Sequence, residues 1–104
     1  MTKERNRMSG KKTVTTPKRI DVKTAPAFDG EMKKLVADGA EEIDVDMADT
    51  VYISSAGLRA LLSTTKALRK KGGMLRVLNV APQVMEVFDI TGYSGFLTIG
   101  EEEE

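Results

Sequence analysis

Residues 51–62 (VYISSAGLRALL) limit what this chain can fold into more than any other stretch. An apolar, β-rich run of Val51, Tyr52 and Ile53 meets two serines, an alanine and a glycine, and then Leu58, Leu61 and Leu62 set a helical spacing. A strand ends here and a helix begins. Such a junction puts free backbone N–H groups and the positive end of a helix dipole beside two hydroxyls, a setting that suits an anion or a phosphorylated side chain. The plainer reading is that Ser54 or Ser55 caps the helix, since serine leads the N-cap preferences. Neither serine is followed three residues later by Glu or Gln, so the reciprocal capping box is absent.

The flanking sequence supplies the elements around this junction. Thr13 to Thr16 allow a strand that Pro17 confines to an edge or a break. Thr24, Ala25 and Pro26 look like a helix start with a capping hydroxyl, and Phe28, Met32, Leu35 and Val36 place one apolar face on a helix that stops near Gly39. Residues 41–47 alternate, with Ile43, Val45 and Met47 on one side and Glu42, Asp44 and Asp46 on the other. Paired carboxylates on a strand suit metal binding or acid–base work, but a solvated or rim-facing side explains them more simply. Residues 48–50 lead to Val51 either through a second short strand or along one bent strand.

After the serines, Leu58, Leu61, Leu62, Thr65 and Leu68 mark the buried face of a helix ending near Lys71, closed by Gly72 and Gly73. Residues 74–80 (MLRVLNV) read as a buried strand. A short helix through Val84, Val87 and Phe88 follows, closed by Thr91 and Gly92, and residues 96–99 offer a last strand. Alternating strands and helices argue an α/β layer around a small, mostly parallel sheet, with sites at the carboxyl edge of the strands.

Composition narrows the chemistry. The 104 residues suit one domain. Cysteine and histidine are both absent, which removes disulfides, thiolate nucleophiles, zinc sites with Cys or His ligands and a Ser-His triad. We therefore expect neither an enzyme nor a metal or cofactor site. The formal net charge is zero, yet residues 1–20 hold seven Lys and Arg against Glu4 alone, and the chain ends in four glutamates. The expected division is a flexible basic leader at 1–12, a folded domain at 13–100 and an acidic tail at 101–104. With no basic stripe in the folded part, no apolar run long enough to span a bilayer and no signal-peptide pattern, the expectation is a cytoplasmic protein that binds neither nucleic acid nor membrane.

Four segments together resemble the STAS domain, and the stand-alone form resembles the bacterial anti-sigma factor antagonists: residues 20–25 (IDVKTA), 45–58 (VDMADTVYISSAGL), 71–74 (KGGM) and 81–93 (APQVMEVFDITGY). The resemblance implies a STAS-type single domain, α/β, with helices packed on a small mixed, mostly parallel sheet. It also implies partner switching. The unphosphorylated antagonist binds an anti-sigma factor that is a serine/threonine kinase, phosphorylation of a loop serine releases it, and a metal-dependent serine phosphatase restores it. Many family members read Asp-Ser-Ser-Gly with the second serine as acceptor, whereas Ser54, Ser55, Ala56 and Gly57 stand here. Ala56 occupies the usual acceptor position and Ser54 replaces the aspartate. The Ser-Ser-Ala-Gly-Leu variant also occurs in the family, and Ser55 is taken as the acceptor with Ser54 as the alternative.

The resemblance implies a partner face of Asp21, Thr24, Ser54, Ser55, Ala56, Gly57, Leu58 and Arg59, and position in the chain adds Met85 and Phe88 as candidate contact surface. Asp21 and Thr24 read equally as turn and cap residues, and Asp46 as structural. A non-phosphorylated scaffold subunit of a lipid-transport or sensory assembly is the alternative function. Family members usually open with two apolar strands, while this chain offers only Met8, Val14 and Ile20 there, so a short or frayed first strand is expected.

Overall fold

The alternation of residues 41–47 is the clearest strand signal, and the strand it forms sits inside the sheet. A computed structural model describes residues 10–100 of the protein; Met8, most of the expected leader and the acidic tail lie outside the described residues. Among the described residues six strands and three α-helices follow in the order β1 (Lys11–Thr15), β2 (Arg19–Ile20), α1 (Ala25–Ala37), β3 (Glu42–Asp46), β4 (Tyr52–Ile53), α2 (Ser55–Lys70), β5 (Met74–Leu78), α3 (Pro82–Thr91) and β6 (Thr98–Gly100). β1, β3, β5 and β6 form one sheet in that order, and β2 and β4 form a second pair; every pairing is parallel.

Register explains the alternation. Val14, Val45, Val77 and Ile99 stand opposite one another across the four strands, while Thr13, Asp44, Arg76 and Thr98 form the neighbouring row on the other face. The first row faces the core with Ile43, Met47 and Leu75, and α1 adds Phe28 and Met32, α2 adds Leu58, Leu61 and Leu68, and α3 adds Val84 and Phe88. Truncating a side chain as fully buried as Phe88 costs about 3–5 kcal/mol in such a core.

The route from 46 to 52 consists of two strands, not one bent strand. The chain turns at Thr50, whose N–H donates to the Met47 carbonyl, and Val51 N–H then bonds Lys18 O at 2.8 Å. Pro17 stands at the matching break between β1 and β2. There Thr50 Oγ1 donates to the Pro17 carbonyl at 2.6 Å and meets the hydroxyl of buried Thr16. Both chains therefore break together and resume as the β2–β4 pair, which carries the junction at Ser54. The final strand starts at Thr98, two residues later than the apolar run suggests, because Phe96 is held in a turn by Arg69, which stacks over its ring at 4.6 Å and donates to its carbonyl at 2.9 Å.

The acidic face of β3 is solvated only at Glu42. Asp44 is only 7% exposed, and Arg76 reaches it from β5 with two hydrogen bonds of 3.0 and 2.9 Å, while Lys11 lies 3.7 Å away. Asp46 accepts from Ala48 N–H and from the Asn79 side chain, both at 3.0 Å. Neither carboxylate stands free. The Arg76 guanidinium, against a smaller opposing push from burial, holds the Asp44 carboxyl below its ordinary value of 3.8. A carboxyl whose folded pKa is depressed stabilises fully above its unfolded value, and that contribution is lost as pH falls through the folded one. The expected outcome is that Asp44→Asn melts below wild type at neutral pH and that the gap closes as pH falls below the ordinary carboxyl value and through the lowered folded one. A constant difference in melting temperature across that range would disprove it.

Candidate functional site

The β2–β4 pair delivers two chain segments to one edge. Ser54 N–H donates to Ile20 O at 2.8 Å, so the turn after β2 and the start of α2 are neighbours. Ser54 has extended backbone angles, and its Oγ accepts from Gly57 N–H at 3.2 Å. It is the N-cap of α2 and only 9% exposed. Ser55 is the first helical residue and its side chain is exposed. Two adjacent serines thus have separate duties, one satisfying the helix and one facing outward at the positive end of the dipole.

Gly57 explains why the helix begins this close to the strands. A Cβ there would lie 2.7 Å from Ile20 Cγ2 and 2.8 Å from Ile53 Cγ1, well inside van der Waals contact. Gly57 and Leu58 are both buried and serve the site by fixing α2 against β2 and β4. Ala56 is half-buried and Arg59 exposed, so Ser55, Ala56 and Arg59 supply the outward surface of the first turn.

Asp21 and Thr24 stand on the turn beside this edge, where Thr24 does not act as the sequence suggests. Its hydroxyl makes no cap bond to α1; it donates to Arg19 O at 2.7 Å and accepts from Asp21 N–H at 2.9 Å. Asp21 turns the chain instead, its Oδ1 accepting from the N–H groups of Lys23 and Thr24 at 3.0 and 3.1 Å. The Thr24 N–H, supported by the Lys23 N–H and by the side chains of Thr24 and Arg19, holds the Asp21 carboxyl below its ordinary 3.8 despite an opposing push from desolvation. Asp21 is therefore a carboxylate at neutral pH. Arg19, 3.6 Å from it, also stacks over the Tyr52 ring at 4.4 Å.

A shallow groove of about 440 Å³ runs between the starts of α1 and α2, with Val22 and Pro26 on one bank and Ala56, Arg59 and Ser63 on the other. Val22 is 74% exposed and adds an apolar contact that the sequence reading missed; it belongs to no periodic run, and only its place inside IDVKTA could have flagged it. Met85 and Phe88 lie on α3, outside this groove. Phe88 is fully buried, which corrects its reading as contact surface: it packs in the core.

The STAS domain model matches residues 2–104, and the chain belongs to that family. The anti-sigma-B factor antagonist of Bacillus subtilis is 32% identical over 85 residues, 82% of this chain and 77% of the relative. SpoIIAA superposes with a TM-score of 0.78 in its unphosphorylated form (16% identity, 90% of this chain and 82% of that one). The phosphorylated form of Bacillus SpoIIAA gives 0.69 (15% identity, 88% and 82%). Within the STAS family this chain falls among the anti-sigma factor antagonists, which are regulatory binding proteins and not enzymes. Among the described residues no helix is long and apolar enough to cross a membrane, and no group of three or more Asp or Glu gathers to hold a metal.

The two serines should separate on mutation. Ser54→Ala is expected to cost about 1 kcal/mol by chemical denaturation and Ser55→Ala to be nearly neutral. Gly57→Ala should cost about 1–3 kcal/mol because Ile20 and Ile53 must yield. Equal losses at the two serines would contradict the cap assignment.

Proposed function

We propose that the chain is a phosphorylation-gated antagonist of an anti-sigma factor. With Ser55 unmodified, the edge formed by Asp21, Thr24 and residues 54–59 binds an anti-sigma factor that is itself a serine/threonine kinase. Transfer of phosphate to Ser55 breaks the complex, and a metal-dependent serine phosphatase resets it. The observation that carries this reading is the division of labour at the junction. The Ser54 hydroxyl is engaged by Gly57 N–H and nearly buried, while Ser55 is exposed one residue later. The relationship to the anti-sigma-B factor antagonist of Bacillus subtilis supports the choice of partner.

The physics of release is local. A phosphoserine brings a charge of about −1.5 to −2 and three strongly solvated oxygens. In the free protein these remain in water at a helix N-terminus that favours anions, so the fold need not respond. The likeness of this chain to SpoIIAA in both its unphosphorylated and phosphorylated forms is consistent with a fold that carries the phosphate unchanged. In a complex the phosphate must give up its water against the partner surface, and an apolar or like-charged surface there adds to the penalty. A penalty of about 3–4 kcal/mol weakens binding by roughly 100- to 1,000-fold, enough for a switch.

Ser55→Glu is expected to weaken affinity for the anti-sigma kinase by about 100-fold or more in calorimetric titration while leaving the melting temperature within a degree or so of wild type. Undiminished affinity would refute the gate, and a constitutive scaffold would then be the better description.

A further inference from the structure

α2 and α3 each carry charge of a single sign. α2 holds Arg59, Lys66, Arg69 and Lys70 and no acid, whereas α3 holds Glu86 and Asp89 and no base. Arg69 is occupied by Phe96, but Arg59, Lys66, Lys70, Glu86 and Asp89 are all exposed and none joins an ion pair among the described residues. Lys66 and Lys70 stand one turn apart, a like-charged spacing that disfavours an isolated helix. Counter-charge from outside the chain would relieve it.

Shape follows the same division. On α2 the i+4 rows Arg59, Ser63, Ala67 and Leu62, Lys66, Lys70 enclose a groove of about 520 Å³, with small residues in one row. On α3 the i+4 row Pro82, Glu86, Ile90 forms a ridge, and Ile90 is 75% exposed although isoleucine is among the residues most often buried. Helices pack by laying one such ridge into the groove between two such rows.

We propose that the occupant of the α2 groove is the α3 ridge of a second copy of this chain. Ile90 then covers Leu62 and Ala67, while Glu86 and Asp89 come against the α2 cations. Leu62 also lines a smaller cavity with Thr91, Gly92 and Tyr93, so the edge of the groove lies near the C-terminal end of α3 on the same molecule. A two-fold axis between them satisfies both grooves at once and gives a closed dimer. The contact is small and belongs to the weak class of interfaces. Arg59 and Ser63 line both this groove and the one beside Ser55, so self-association also shades part of the proposed partner face.

Sedimentation equilibrium of the full chain at low salt, over about 10–500 µM, tests the assignment. A reversible monomer–dimer equilibrium is expected. Ile90→Ser, the pair Lys66→Glu with Lys70→Glu, and the pair Glu86→Lys with Asp89→Lys should each weaken it by about 10-fold or more. Circular dichroism verifies that each variant is folded. Mixing the two charge-reversed proteins should restore dimer, a rescue that general loss of structure cannot mimic. A wild type that stays monomeric throughout, or a dimer indifferent to both charge reversals, overturns the proposal. So would a monomer whose α2 charge reversal weakens binding to the anti-sigma kinase, because the groove would then belong to an acidic partner surface.

Discussion

The contact on which the rest of the site depends is the approach of Gly57 to Ile20 and Ile53. With no Cβ at this position, the first turn of α2 sits directly on the ends of β2 and β4. That contact fixes where the helix starts, and the start fixes the serines: one residue must close the helix and the next must face outward. A larger residue at 57 would lift the turn, loosen the Ser54 cap and move the exposed hydroxyl. Packing therefore comes first here, and the chemistry of Ser55 inherits its position from it.

A second constraint is that the two short strands of the pair are continuations of longer ones. β1 and β3 lie side by side, break together around Thr16 and Thr50, and resume together as β2 and β4. The edge carrying Asp21 and Ser54 is thereby attached to the main sheet through two chains at once. A phosphate added at such an edge, as proposed above, would need no rearrangement of the core. In the switch proposed above, modification would change the surface offered to a partner rather than the shape of the domain, and electrostatics with desolvation would suffice to change affinity.

Much of this was legible in the sequence because it is periodic or local. The strict alternation around Ile43, Val45 and Met47, the helical spacing of Leu58, Leu61, Thr65 and Leu68, and the glycines at 39, 72 and 92 are all signals that a chain carries within a few residues. What escaped was set by distant neighbours. Asp44 looked solvated because nothing local shows that the parallel register places Arg76 opposite it. Thr24 looked like a cap because its hydroxyl precedes Ala25 and Pro26, yet the Arg19 carbonyl takes that hydroxyl and Asp21 makes the turn. Phe88 looked available because an apolar residue on a short helix does not say which side of the helix meets the core. Val22 was missed for the opposite reason: an isolated apolar residue in a turn has no period to reveal it.

The serine pair shows how sequence and geometry divide the task. The family resemblance points to Ser55 as acceptor with Ser54 as the alternative, and the structure engages Ser54 in the cap bond to Gly57 while Ser55 stands exposed, which supports the proposal for Ser55. The most direct measurement is intact-mass analysis and peptide mapping after incubation with ATP and a lysate of the protein's own cells, comparing wild type with Ser54→Ala and Ser55→Ala. The account predicts a single phosphate that is retained in Ser54→Ala and absent from Ser55→Ala. A phosphate that survives Ser55→Ala, or none in any growth condition, would contradict it.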